Sequence, residues 1–244
     1  MHPTTLITGA GKRIGAALAR HLAARGHHLV LHYRTARAEA EALATELRAS
    51  PTAPNVALVQ ADLENTAALG DFWAGLPPVT HLIHNASHYV RDQLTDFTLA
   101  NLRAHLAVNL EAPLILTQGY LAQLPEGASG NVIVLGDGYD GWTISPEFFT
   151  YAASKHAWGG VIDLVAAALA PRARANVIAL APTLQGAGED DALFARLAAR
   201  APLKRTGSVA EVCAAVDFLL ASPGVTGQTL SLANGMGLLT RRPA

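Results

Sequence analysis

The sequence predicts an α/β fold in which helices cover both faces of a doubly wound parallel sheet. Apolar runs and helical segments alternate along all 244 residues. The apolar runs are continuous and not alternating, which is the pattern of strands buried on both faces. A glycine-rich turn, Gly9 to Gly15, separates the first apolar run from the first helical segment. This layout directs backbone N–H groups and a helix N-terminus towards a phosphate.

Seven strands and the helices between them follow from local patterns in chain order. The strands are predicted at residues 4–7, 27–34, 56–62, 79–86, 130–137, 175–181 and 228–232. The helices are predicted at residues 16–25, 36–49, 66–75, 99–124, 151–170 and 209–221, with a short helix within 182–200. Prolines at 51, 54, 77 and 78 break the chain between elements. Since no linker or repeat interrupts the alternation, we expect one domain over residues 1–244.

Composition excludes several functional classes. Half of the residues are hydrophobic, so the chain can bury a sizeable core, and a net charge of −1 provides no footprint for nucleic acid. The one cysteine, Cys213, cannot form an internal disulfide or a metal cluster and is expected to pack in a helix. No run of 18 apolar residues and no signal-peptide pattern is present. We therefore expect a cytoplasmic protein without a membrane span or a bound metal.

Cations near the first two strands indicate the kind of cofactor. The turn has the spacing G-x-G-x-x-x-G over Gly9, Gly11 and Gly15. Arg34 follows the second strand, where an NAD site would have an acidic residue. Together with Arg13, its guanidinium is suited to a 2′-phosphate, which favours NADP(H). The alternative is that both arginines are solvated surface residues.

Polar residues follow the next strands at their ligand-facing ends. Asp62 follows the third strand, where it either accepts a hydrogen bond from an adenine amino group or caps the next helix. The small residues at 85–87 let a cofactor lie against the backbone, and Tyr89 either stacks on a flat ring or packs. Asn109 interrupts an apolar stretch of the long helix, so its amide needs hydrogen-bond partners.

A tyrosine and a lysine point to acid catalysis. Tyr151 and Lys155 are spaced i, i+4, which places them on one face of a helix, and the chain has few other lysines. An ammonium beside a phenol favours the phenolate, so we expect a lowered pKa for Tyr151 and a usable general acid. Asp137 ends the fifth predicted strand, and the helix that carries Tyr151 is the next predicted element along the chain.

Taken together, these motifs resemble the short-chain dehydrogenase/reductase family over essentially the whole chain. The matching segments are Thr8-Gly9 to Gly15, Asp62-Leu63, Asn85-Ala86, Asn109 and Tyr151-x-x-x-Lys155. The resemblance implies a Rossmann-type sheet of seven strands in a homotetramer. It implies that Tyr151 donates a proton, that Lys155 binds the nicotinamide ribose and lowers the tyrosine pKa, and that Asn109 holds a water in the proton relay. The implied cofactor contacts are Gly9, Gly11, Lys12, Arg13, Ile14, Gly15, Tyr33, Arg34, Thr35, Asp62, Leu63, Asn85, Ala86, Ser87, Lys155 and Pro182.

Three departures narrow the resemblance to the pteridine reductase branch, which includes bacterial dihydromonapterin reductases. Arg13 and Ser87 stand where most members carry glycine, and Asp137 stands where most carry the catalytic serine. The branch uses NADPH and holds a pterin between the nicotinamide and an aromatic residue, for which Tyr89 is the candidate. The implied substrate contacts are Arg13, Ser87, Tyr89, Asp137 and Tyr151, with Arg13 and Ser87 touching the cofactor phosphate and the pterin.

The predicted function is NADPH-dependent reduction of a 7,8-dihydropterin, such as dihydromonapterin or dihydrobiopterin, and of dihydrofolate as a further candidate. The alternatives are a carbonyl or 3-oxoacyl reductase of the same family and a non-catalytic dinucleotide-binding sensor. Asp140 competes with Asp137 as the acid near the tyrosine, and Pro182-Thr183 replaces the family's Pro-Gly, which leaves the loop at 183–192 undefined. Trp142, Phe148 and Phe149 either line the site or pack.

Overall fold

In the computed structural model, which describes residues 2–137, 147–186 and 190–238, seven parallel strands form one sheet in the order β3-β2-β1-β4-β5-β6-β7. The strands are β1 (Thr4–Ile7), β2 (His28–Tyr33), β3 (Val56–Gln60), β4 (His81–His84), β5 (Gly130–Asp137), β6 (Ala173–Leu180) and β7 (Thr229–Ser231). The strand order reverses between β1 and β4, which places the switch point of the sheet there. The predicted fold class is confirmed.

Helices cover both faces of this sheet. They are α1 (Arg13–Ala24), α2 (Arg37–Arg48), α3 (Leu99–Leu106), α4 (Ala112–Gln123), α5 (Phe149–His156), α6 (Trp158–Leu169), α7 (Asp191–Arg200) and α8 (Val209–Ala221). Residues of α1, α2 and α8 pack in one apolar cluster, and residues of α4 and α6 pack in a second. The sheet lies between these two clusters.

Each continuous apolar strand contributes side chains to both apolar clusters. Leu6 belongs to the cluster with α4 and α6, whereas its neighbour Ile7 belongs to the cluster with α1, α2 and α8. Leu82 and Ile83 in β4 divide in the same way. Because successive strand residues point to opposite faces, both faces need apolar side chains, which explains the absence of alternation in the sequence.

The predicted helix over residues 99–124 is interrupted. A π-helical segment, Ala107–Glu111, separates α3 from α4 and contains Asn109. Pro113 has no N–H to donate to the Asn109 carbonyl oxygen four residues earlier, and this oxygen instead accepts a hydrogen bond from Trp158 Nε1 at 2.8 Å. Segments of this kind occur frequently at functional sites.

Other boundaries also differ from the prediction. The helix expected over residues 151–170 begins at Phe149 and is divided at Ala157 into α5 and α6. The segment expected as a helix over residues 66–75 is a 3₁₀-helix, Thr66–Asp71. Cys213 is buried in the apolar cluster of α8, as expected. Among the described residues, no helix has the length and apolar character needed to cross a membrane.

Candidate active site

The glycine-rich turn meets the end of β4 at the switch point of the sheet. Gly9 has a φ of +64°, and a Cβ atom there would lie 3.0 Å from Ala86 Cα. A Cβ atom on Gly15 would lie 2.4 Å from Gly9 O. Asn85 Nδ2 holds the turn by donating to Thr8 O at 2.8 Å and to Gly9 O at 3.0 Å. Both glycines are therefore required by close backbone approach.

A histidine in β2 also holds the turn. His32 Nδ1 accepts a hydrogen bond from the Gly9 N–H at 3.0 Å, so the ring proton is on Nε2, which faces Ala61 O at 3.2 Å. Burial lowers the pKa of His32 to about 4, which keeps the ring neutral. The sequence analysis did not identify this residue, since a histidine within an apolar strand gives no signal of its contacts.

The predicted cofactor cations lie exposed around this turn. Arg13, at a φ of +54°, donates from Nη2 to Leu184 O at 3.2 Å in the loop after β6. Lys12 forms an ion pair with Glu39 of α2. Arg34 is exposed directly after β2, as is Thr35. The positive charges and the tight turn at the start of α1 fit a dinucleotide phosphate.

The remaining predicted cofactor residues border the same edge of the sheet. Asp62 is exposed, and its Oδ1 accepts a hydrogen bond from Glu64 N–H at 3.1 Å, which closes a local turn. Asn65, and not Asp62, is the N-cap of the following 3₁₀-helix. Leu63 is buried, and Gly11, Ile14, Tyr33 and Pro182 are half-buried. Asp62 is thus already engaged in a backbone contact at the end of β3.

The predicted catalytic tyrosine lies beside the predicted carboxylate. Asp137 and Ser87 are the hydrogen-bond partners of the Tyr151 side chain. Burial, followed by the negative charge of Asp137, raises the pKa of Tyr151 well above its usual 10. Tyr151 therefore holds its proton across the neutral range. Asp140, the competing candidate, lies outside the described residues.

The expectation that Lys155 lowers the tyrosine pKa is wrong for this structure. Lys155 Nζ donates to Leu135 O at 3.0 Å and lies 6.0 Å from the centroid of the Tyr151 ring. Burial lowers the pKa of Lys155 to about 8, and the charge of Asp137 opposes this change. The ammonium is therefore engaged with the end of β5, whereas burial and, after it, the charge of Asp137 raise the pKa of the phenol.

The amide of Asn109 has the partners that its buried position requires. Oδ1 accepts from His88 N at 2.9 Å and from Ser87 Oγ at 3.2 Å. Nδ2 donates to His88 O at 3.1 Å and to Ser154 Oγ at 2.9 Å. Asn109 thereby ties the loop after β4 to the helix that carries Tyr151. Its role in a water relay remains a prediction.

Aromatic rings form one wall of the site. Tyr89 stacks on Phe148, with centroids 4.6 Å apart and an interplanar angle of 14°. Its ring also meets Tyr151 edge to face at 4.8 Å. Tyr89 remains 46% exposed, so it has accessible surface beside Tyr151. Phe149 instead packs near Phe97, at 5.7 Å between centroids.

The structure therefore brings together four of the five predicted substrate residues: Ser87, Tyr89, Asp137 and Tyr151. The fifth, Arg13, contacts the loop after β6. Trp142 and residues 187–189 of the loop at 183–192 lie outside the described residues. The sequence analysis missed a buried hydrogen-bonded group at this wall, formed by Asp92, His105 and Thr150. These residues are far apart in sequence and match no spacing pattern.

The fold and this site define a class of nicotinamide-dependent oxidoreductases. A family model described as enoyl-(acyl carrier protein) reductase matches residues 9–237. The chain belongs to the short-chain dehydrogenase/reductase family. The resemblance inferred from the sequence motifs is confirmed.

Individual relatives cover nearly the whole chain. Dihydromonapterin reductase of Escherichia coli O6:K15:H31 is 31% identical over 246 residues, covering 96% of each chain. FolM alternative dihydrofolate reductase 1 from Brucella suis, solved in complex with NADP, is 33% identical with a TM-score of 0.86, and the match covers 99% of this chain and 98% of that one. An NADPH-dependent aldehyde reductase-like chloroplastic protein of Arabidopsis thaliana is 25% identical over 250 residues, covering 94% of this chain and 92% of the relative.

Proposed function

We propose that this chain catalyses the NADPH-dependent reduction of a dihydropterin to its tetrahydro form. The observation that carries the proposal is the carboxylate of Asp137 hydrogen-bonded to Tyr151, whose ring also contacts the exposed Tyr89. A serine hydroxyl, which most family members have at this position, would suit a carbonyl substrate. A carboxylate suits the N–H edge of a pterin, because hydrogen bonds to an ionised acceptor are the stronger ones.

The cofactor follows from the glycine turn and its cations. The Brucella suis neighbour was solved in complex with NADP. In this chain, the turn from Gly9 to Gly15 would hold the pyrophosphate, and Arg13 and Arg34 would contact the 2′-phosphate. When bound, NADPH supplies the hydride, whereas the protein supplies position and protonation.

The residues around Tyr151 supply the proton that this reduction consumes. A pterin ring nitrogen gains a proton as the adjacent carbon receives the hydride. Tyr151 is protonated at neutral pH because burial and Asp137 raise its pKa. Asp137 orients the phenol. Lys155, whose Nζ donates to Leu135 O near the end of β5, would bind the nicotinamide ribose. Tyr89 provides the flat surface on which the pterin ring stacks.

A carbonyl reductase is the second candidate function. The Arabidopsis relative, described as NADPH-dependent aldehyde reductase-like, favours it. The same tyrosine would then protonate an alkoxide, and the pair of Asp137 and Tyr151 would be less suited to the reaction than a serine–tyrosine pair. The prediction of a cytoplasmic homotetramer accompanies either function and remains a prediction.

A test of the proposed function is NADPH oxidation with dihydromonapterin, dihydrobiopterin, dihydrofolate and a panel of aldehydes and ketones. We expect turnover of at least one pterin with NADPH, little with NADH, and a loss of about 100-fold or more in Tyr151→Phe, the size usual for a general acid. Fluorescence titration should show that this variant still binds NADPH. Turnover of carbonyl compounds without any turnover of pterins would establish the second candidate instead.

A further inference from the structure

The loop after β4 pairs with the start of α5 along two residues. Asp92 N–H donates to Glu147 O at 3.1 Å, and Phe149 N–H donates to Asp92 O at 3.0 Å. This parallel bridge lies beside the stack of Tyr89 on Phe148. The segment that carries Tyr89 is therefore joined through its backbone to the segment that leads into Tyr151.

The carboxylate of Asp92 caps helix α5 from outside the helix. Asp92 is 6% exposed, and its Oδ1 accepts a hydrogen bond from Thr150 N–H at 2.9 Å. Its Oδ2 accepts a hydrogen bond from Thr150 Oγ1. The helix has no cap from its own N-cap side chain, that of Phe148. A carboxylate at this end satisfies a free N–H group and opposes the positive end of the helix dipole.

The same group continues to the loop that bears Tyr89. Because the Thr150 hydroxyl donates to Asp92, it can only accept from His105 Nδ1, at 2.8 Å. The ring proton is therefore on Nδ1, and Nε2 accepts from Val90 N–H at 3.2 Å. His105 and Thr150 are both fully buried. Donors thus point in one direction, from Val90 through His105 and Thr150 to Asp92.

We propose that Asp92 is a positioning residue that fixes Tyr89 and Tyr151 relative to one another. Thr150 immediately precedes the catalytic tyrosine, and Val90 immediately follows the aromatic residue of the substrate wall. The carboxylate of Asp92 takes the Thr150 proton and so leaves the hydroxyl oxygen to accept from His105, whose ring also has a backbone partner in Asn101. The two tyrosine rings consequently keep their edge-to-face arrangement, and the segments that carry them move as one unit.

Substitution of Asp92 by asparagine separates this role from simple helix capping. Asparagine keeps an oxygen acceptor for Thr150 N–H, so the cap on α5 survives. Its amide nitrogen, however, donates to the Thr150 hydroxyl, so the hydroxyl proton loses its carboxylate acceptor. The hydroxyl then either accepts from both neighbours and leaves its own buried proton unpaired, or donates to His105 Nδ1 and moves the ring proton to Nε2, where it opposes the Val90 N–H. In both cases Asp92→Asn weakens the link to the Tyr89 loop while α5 stays capped.

The experiment compares Asp92→Asn and Thr150→Val, which both break the chain of donors, with Thr150→Ser, which keeps it. Asp96→Asn is the matched control, because the exposed carboxylate of Asp96 accepts a local hydrogen bond from Gln93 N–H in the same loop. We expect Asp92→Asn and Thr150→Val to raise KM for the dihydropterin about tenfold and to speed hydrogen exchange of the Val90 amide. NADPH affinity should stay within about twofold, and Thr150→Ser and Asp96→Asn should match the wild type.

Two results would overturn the inference. One is unchanged KM and Val90 exchange in Asp92→Asn. The other is an equal loss of NADPH affinity and pterin turnover in both disrupting variants, which indicates general structural damage. The kinetic arm rests on the proposed function, but the exchange arm does not. If the wild type reduces no pterin, the proposed function is wrong. Faster exchange of the Val90 amide in Asp92→Asn would still support the positioning role in that case.

Discussion

At the residue scale, burial is the largest cause of the raised pKa of Tyr151, and the negative charge and hydrogen bond of Asp137 raise that pKa further. We predict that Asp137→Asn lowers that pKa, because the negative charge is removed and the phenolate becomes less unfavourable. The alkaline limb of the kcat/KM profile should move to lower pH, and kcat should fall about tenfold or more.

The measurement is a pH profile of pterin reduction for the wild type and Asp137→Asn. Asp96→Asn is a suitable control, because this exposed carboxylate accepts a hydrogen bond from Gln93 N–H and is not among the predicted site residues. An alkaline limb that does not move in Asp137→Asn would show that Asp137 does not set the tyrosine pKa.

His32 gives a second residue-scale prediction, which concerns acid stability. Burial lowers its pKa from 6.5 to about 4, so the unfolded chain takes up the proton first. Stability is therefore complete above pH 6.5 and declines as the pH falls towards 4, by about 3 kcal/mol. The variant His32→Gln keeps an acceptor for Gly9 N–H and a donor for Ala61 O but does not titrate.

Urea unfolding at pH 7 and pH 4.5 checks this prediction. The wild type should lose more free energy of unfolding between the two pH values than His32→Gln. Burial also lowers the pKa of His81 to about 4 and that of His84 to about 3, so both proteins will lose some stability. Equal losses in the two proteins would exclude His32 as an acid-sensitive group.

The spacing of Tyr151 and Lys155 was enough to predict their common helix, but not the electrostatics between them. The lysine ammonium is held by Leu135 O, 20 residues earlier in the chain, and no local pattern reveals that acceptor. The same limit applies to Asp92, whose partner Thr150 lies 58 residues away. Residue types at strand ends could be predicted, whereas the direction of side-chain hydrogen bonds depends on tertiary contacts.

At the element scale, the π-helical segment Ala107–Glu111 connects Trp158, in the apolar core, to Asn109 of the candidate site. Trp158 Nε1 satisfies the Asn109 carbonyl oxygen within this segment. We predict that Trp158→Phe lowers the free energy of unfolding by about 1–3 kcal/mol, because a buried carbonyl loses its donor. Urea denaturation followed by circular dichroism measures the change.

Trp73→Phe is the matched control for this substitution. Trp73 Nε1 is buried and has no hydrogen-bond partner in the described part of the chain. Its replacement removes a similar volume without breaking a hydrogen bond. Comparable destabilisation by both variants would mean that ring volume, and not the bond to Asn109, explains the effect.

Element types were predictable from periodicity, but the interruptions were not. The apolar runs predicted every strand, because burial on both faces leaves a clear signal. Pro113 is a local signal for the interruption, because it lacks the N–H that an α-helix directs at the Asn109 carbonyl oxygen, but the donor that replaces it, Trp158, lies 49 residues after Asn109. The division at Ala157 comes just before Gly159 and Gly160, which are poor helix formers.

At the scale of the whole molecule, we predict a homotetramer. Leu164 is 69% exposed on α6, and a Cβ atom on Gly160, one turn earlier, would meet nothing within 4 Å. We expect this face of α6 to contact a second copy of the chain. Sedimentation should give four times the mass of the chain, and Leu164→Arg should shift the protein to smaller species. Leu203→Arg, at a leucine that is 62% exposed, is the control.

A monomeric wild type would contradict this prediction, as would equal dissociation by both arginine variants. The measurement is independent of catalysis, so it also holds for either candidate function. It requires only the purified chain over a range of concentrations, because assembly depends on concentration and folding does not.

The division of the core by the sheet has a consequence for how this molecule tolerates sequence change. Leu6 and Ile7 are neighbours in the chain, yet each packs in a different cluster. Side chains without shared partners contribute additively to stability, whereas those in contact do not. Adaptation on one side of the sheet can therefore proceed without compensation on the other. At the candidate active site, the loops that follow β1, β4 and β5 contact one another. Substitutions in these loops are therefore not independent, and a change in one is expected to require a compensating change in another.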